Sequence, residues 1–110
     1  MVKLMSMSNS NSDNLFENPE DQKLATLATS TLARSGAKQA AALRDSTGRT
    51  YVAINVESPE LKLDAVEAVF VVALASQISG IEGVVYVGLP DAKVAVIKQH
   101  SAQAALFHID

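Results

Sequence analysis

Cysteine is missing from all 110 residues, which excludes disulfide staples, thiolate nucleophiles, iron–sulfur clusters and any zinc site built on thiolates. A basic surplus is missing too. Nine Lys and Arg stand against twelve Asp and Glu, a formal charge of −3, so non-specific binding to nucleic-acid phosphates is disfavoured. Long apolar runs are absent: the longest, Ala68 to Ala75, falls far short of the roughly 20 residues that span a bilayer, and no membrane segment is expected. Glycine occurs five times, with no Gly-rich phosphate loop, nucleophile elbow or Ser-His-Asp order. The opening residues carry Lys3 but no apolar stretch of the signal-peptide kind, and a cytoplasmic address is expected.

What is present suits a folded domain. Hydrophobic residues make up 48% and charged residues 19%, close to globular averages, and the length fits one core. Met1 to Leu15 contain the run Ser6-Met7-Ser8-Asn9-Ser10-Asn11-Ser12-Asp13-Asn14, which has little to bury and many side chains that compete for backbone hydrogen bonds. A disordered Ser/Asn-rich tail over residues 1–18 and a single domain over 19–110 are expected.

The pattern of apolar residues and turn signals predicts the order α-β-β-α-β, followed by a C-terminal strand and/or helix. Asn18-Pro19-Glu20-Asp21 reads as a capped helix start, with Leu24, Leu27, Ala28, Thr31 and Leu32 on one face and Gly36 as its stop. Gln39 to Arg44 and Arg49 to Val56 read as an antiparallel hairpin turning at Asp45-Ser46-Thr47-Gly48, with Val52, Ile54 and Val56 expected to face the core. Ser58-Pro59-Glu60 repeats the helix-start signal, and Leu61 to Ile78 is apolar nearly all round apart from Lys62, Asp64, Glu67, Ser76 and Gln77. In so small a domain, enclosing such a helix calls for a sheet on one side and a partner on another, so a homo-oligomer, dimer or tetramer, is expected. Gly83 to Val87 reads as a buried strand reached by a helical crossover and parallel to its sheet neighbour. Lys93 to Ile97 reads as a fourth strand, and Ser101 to Phe107 as a short helix capped by Ser101.

Few side chains stand out chemically. His100 and His108, eight positions apart, fit no compact metal-ligand spacing and read as surface or tail residues. Asp64 and Glu67 share a helix face and could form a carboxylate pair, although Asp64 is better placed to complement the positive helix start. Glu67 interrupts an apolar helix, where an ionised carboxylate needs a partner. A bridge to Arg44 or Arg49, a subunit contact, or a remnant of chemistry would supply the reason.

From about Leu24 to Val87 the chain resembles the small tetrameric cytidine deaminases that act on free nucleosides. Ala40-Ala41-Ala42-Leu43 with Thr47-Gly48-Arg49 is similar to that family's first hairpin, and Asn55-Val56-Glu57 to its Asn-x-Glu nucleoside motif. Ala65-Val66-Glu67 falls where the family carries Cys-Ala-Glu, if one residue is missing from the intervening loop. The resemblance implies a three-layer α/β (α+β) sandwich with a mixed sheet and helices packed on it. It implies ribose binding by Asn55 and Glu57, and a proton-shuttling position at Glu67. It does not carry the zinc set. Ala65 stands at the first ligand position, and Leu89-Pro90-Asp91-Ala92-Lys93-Val94 offers at best Asp91 and Val94 where the family has Pro-Cys-x-x-Cys. Zinc lowers the pKa of bound water from about 15.7 to near 7, on the order of 11 kcal/mol in hydroxide formation, too much for one carboxylate to replace.

The expectation is therefore a catalytically inactive protein, an oligomeric binding or scaffolding module with a vestigial Glu67, no metal and no cofactor. One alternative is a nucleoside or nucleotide sensor using Asn55 and Glu57 without conversion. Another is a hydrolase of altered, metal-independent mechanism using Asp64, Glu67 and a histidine from a neighbouring subunit.

Overall fold

The computed structural model describes residues 16–110. The expected tail lies outside the described residues for positions 1–15, while Phe16 packs edge-on against Phe107 with ring centroids 4.9 Å apart. Helix α1 (Pro19–Ser35) begins where its signals predict. The Asn18 side chain accepts the Glu20 N–H, Pro19 occupies the first turn, and Gly36 closes the helix in the left-handed region.

Strands β1 (Gln39–Asp45) and β2 (Thr50–Ile54) form the expected hairpin. Its turn is held by Asp45, whose Oδ1 accepts the N–H groups of Thr47 and Arg49 and the Thr47 hydroxyl, while Oδ2 accepts the Tyr51 hydroxyl. After Asn55 the chain makes a small two-stranded ribbon, β3 (Val56–Glu57) with β4 (Lys62–Leu63). Helix α2 (Ala65–Ala75), strand β5 (Ile81–Gly88), helix α3 (Ala95–His100) and strand β6 (Ala105–Ile109) complete the chain.

The main sheet has the order β2-β1-β5-β6, with β1 antiparallel to both neighbours and β5 parallel to β6. Alternate residues of β1 serve opposite faces, as a pleated strand requires. Ala40 and Ala42 join Leu24, Ala25 and Ala28 of α1 in one core, whereas Ala41 and Leu43 join Val66 and Val69 of α2 and Ile97 of α3 in the other. The architecture is thus α1, mixed sheet, then α2 with α3, the three-layer arrangement expected.

An ion cluster fastens α1 to the sheet. The buried Arg44 guanidinium lies 2.9 Å from Asp21 of α1 and 3.0 Å from Glu82 of β5. Gly88 has a φ of +99°, and a Cβ there would collide with the Lys38 carbonyl, so the end of β5 passes β1 at a distance only glycine permits. Among the described residues no helix is long and apolar enough to cross a membrane.

Several expectations are corrected. Helix α2 starts at Ala65, four positions later than predicted, and ends at Ala75. Ser58-Pro59-Glu60 instead turns the chain between β3 and β4, where the Ser58 N–H donates to the Leu61 carbonyl and the Leu61 N–H to the Ser58 hydroxyl. Strand β5 has the expected parallel neighbour in β6 but is antiparallel to β1: the α2 crossover leaves it running like β2, and β1 lies between them. The C-terminal elements are exchanged, with α3 where a strand was expected and β6 in place of a helix. Short apolar windows fit either period, and pairing beside β5 decides the matter. In β2 both faces are covered, with Val52 packed on the α1 side and Tyr51 and Ala53 on the α2 side, while Ile54 is exposed. A sheet clothed by helices on both faces gives no single inward side.

Candidate functional site

A cavity of about 450 Å³ opens at the N-terminal end of α2, within the size range of small-molecule sites. One wall comes from Asn55, Glu57 and Lys62, the second from Asp64 and Glu67, and the third from Leu89, Asp91 and Lys93 in the segment after β5, with Gln39 lining it as well.

The second wall follows from helix-capping chemistry. Asp64 is the N-cap of α2, its Oδ1 accepting the Glu67 N–H at 2.8 Å, and Glu67 returns the bond by accepting the Asp64 N–H at 3.0 Å. This reciprocal capping box satisfies two donors that a helix start leaves free. The remaining Asp64 oxygen accepts the Lys93 N–H at 2.8 Å and so ties α2 to the third wall. Burial, and after it the Asp64 carboxylate, pushes the Tyr86 phenol above its ordinary value.

Glu67 has found a partner, though neither arginine considered from the sequence. Its carboxylate lies 3.9 Å from Lys93 Nζ, while Arg44 is committed to Asp21 and Glu82. Asn55 and Glu57 both line the cavity, but each is partly engaged. Asn55 Oδ1 accepts the Gln39 N–H at 3.0 Å, extending the β1–β2 pairing by one rung, and its Nδ2 group has no partner among the described residues. Glu57 lies 3.5 Å from exposed Lys38.

Neither histidine reaches the cavity lining. His100 is exposed beside Ser101, as a surface residue should be. His108 is not a free tail residue: it sits half-buried in β6, with Nε2 3.0 Å from the Gly88 carbonyl and its ring against Tyr86 at 4.8 Å.

The donor set does not suit a zinc ion. Ala65 presents a methyl group at the helix start, and its N–H is already given to Gln39 Oε1. Asp64 and Glu67 each give one oxygen to the helix cap and turn the other toward Lys93, Val94 has no side-chain donor atom, and Asp91 is the remaining carboxylate at the positions the resemblance singles out. Among the described residues no group of three or more His, Asp or Glu side chains is placed to hold a metal.

The residue that sequence reasoning missed is Gln39. Its side chain makes three hydrogen bonds, accepting from Ala65 N–H at 2.7 Å and donating to the carbonyls of Leu89 at 2.6 Å and Asp91 at 2.9 Å. The available signal is a polar residue heading the apolar run Ala40-Ala41-Ala42-Leu43 of β1.

Residues 17–110 match the family model described as cytidine deaminase-like. No curated protein matches the chain.

Proposed function

This chain belongs to the cytidine deaminase-like family, and from that premise we propose that it is a catalytically inactive member, acting as an oligomeric binding or scaffolding module. One observation supports the reading: the start of α2 supplies Ala65 and an Asp64–Glu67 capping box, with no set of donors suited to hold a zinc ion that would activate water. Glu67 is then a structural residue of the helix start, with Lys93 as its counter-ion.

The proposed assembly surface is the outer side of α2. Val71, Val72 and Leu74 are 52%, 41% and 43% exposed in the single chain, and an apolar helix face of this kind is stabilised by burial against another copy.

A second reading, a nucleoside or nucleotide sensor, is favoured by the cavity itself, which remains open beside Asn55 Nδ2, Glu57 and Lys62. A hydrolase of altered mechanism finds less support, because the cavity gathers carboxylates but no imidazole from its own chain. Thermal-shift measurements with cytidine, uridine and their monophosphates separate the readings. Stabilisation that Asn55→Ala abolishes supports the sensor, and no shift with any of the four supports the scaffold. Steady conversion of cytidine to uridine contradicts both.

A further inference from the structure

Gln39 is 1% exposed, and a buried amide destabilises the fold unless its polar atoms are hydrogen-bonded. Here its side chain is engaged at both ends, the acceptor toward one segment and the donor group toward another. The acceptor takes the N–H of Ala65, one of the helix-start donors that α2 cannot satisfy internally. The donor group takes the Leu89 and Asp91 carbonyls, which lie in the irregular stretch between β5 and α3. The backbone of the same residue pairs with Asn55 in both directions: Gln39 N–H donates to Asn55 Oδ1, and Gln39 O accepts from Asn55 N–H. One residue therefore joins the end of β2, the head of α2 and the segment after β5, which together wall the cavity.

We propose that Gln39 is the positioning residue of this cavity, an amide clasp that fixes the head of α2 to the segment after β5 and so holds the cavity's shape without a metal ion. These are the two segments at which the resemblance places zinc ligands, and here a neutral side chain ties them together. The chemistry is specific to glutamine. Leucine fills the space but offers no polar atom. Ionised glutamate keeps the acceptor for Ala65 but turns a second oxygen toward two carbonyls. Asparagine is one methylene shorter.

The clasp is tested independently of the proposed function, by stability and amide exchange rather than by turnover or ligand binding. In the wild-type protein the Ala65 amide should exchange only through global unfolding. In Gln39→Leu, provided it folds, exchange at Ala65 accelerates on the order of tenfold or more and the melting temperature falls. Gln39→Glu distinguishes a clasp from a filler. Once protonated, its carboxylic acid offers Ala65 an acceptor and the carbonyls one donor. Its folded-state pKa is raised, so its stability approaches that of the wild type at low pH and falls away as pH rises through that pKa. The cavity's other ionisable groups, Glu57, Lys62, Asp64, Glu67, Asp91 and Lys93, are common to all three proteins, as is neighbouring Lys38, so the difference from wild type isolates position 39. A wild-type Ala65 amide that exchanges at the rate of an open loop, or Glu and Leu variants with parallel pH profiles, overturns the proposal.

Discussion

Asp64 Oδ2 accepts the backbone N–H of Lys93 at 2.8 Å, while its Oδ1 caps α2 through Glu67 N–H. One carboxylate thus ends the irregular segment and starts the helix. Asp64→Ala removes both bonds. The loss of the cap alone is worth about 1 kcal/mol, and the tether to Lys93 adds about 1 kcal/mol more. Urea unfolding should show a total near 2 kcal/mol, with Asp64→Asn recovering much of it. An alanine variant as stable as the wild type contradicts this dual role.

The Arg44 cluster is expected to be the most sensitive ionic feature of the fold. Asp21→Ala leaves the buried guanidinium with half-exposed Glu82 as its remaining counter-ion, and breaking a buried pair from one side costs about 3 kcal/mol. Arg44→Met strands the buried Asp21 carboxylate in the same way, so the double variant Asp21→Ala/Arg44→Met should be milder than either single one, and equilibrium unfolding of the three variants ranks them directly.

Asp45 gives the hairpin turn a pH dependence. Burial alone would raise its pKa, but hydrogen bonds from Thr47, Arg49 and Tyr51 outweigh burial and hold the carboxyl below its ordinary value. A depressed pKa contributes stability that is present above the unfolded-state value and lost as pH falls through the folded one. The stability gap between wild type and Asp45→Asn should therefore be widest near neutrality and narrow below about pH 4. A gap constant from pH 7 to pH 2.5 contradicts the assignment.

If α2 forms the assembly surface, charge on it should dissociate the oligomer. Burying each aliphatic side chain is worth roughly 1.5–3 kcal/mol, so Val71→Lys combined with Leu74→Lys should weaken self-association by at least about a hundredfold. Sedimentation velocity reads this directly, and an unchanged sedimentation coefficient places the interface elsewhere.

The elements legible in the sequence are those with chemical punctuation at both ends. Asn18-Pro19 and Gly36 bracket α1, and Asp45 with Gly48 marks the β1–β2 turn. The start of α2 is obscured because Ser58-Pro59-Glu60 carries the same residue types as a cap. The true signal, Asp64 followed three positions later by Glu67, is a capping box whose two acids invite a reading as catalytic groups. The direction of β5 depends on which strand it joins, a long-range choice that periodicity cannot convey. Of the site, Asn55, Glu57 and Glu67 were identified and do line one cavity. Gln39 was not, because its partners are a helix N–H and two loop carbonyls far along the chain, and a backbone partner leaves no mark in the side-chain pattern.

The proposed inactivity requires that the α2 head carry no hydrolytic metal centre, and elemental analysis of the purified protein, paired with a cytidine turnover assay after incubation with Zn²⁺, tests it most directly. The prediction is zinc far below one equivalent per chain and no uridine formed with or without added metal. Stoichiometric zinc that survives dialysis, accompanied by uridine production, contradicts it.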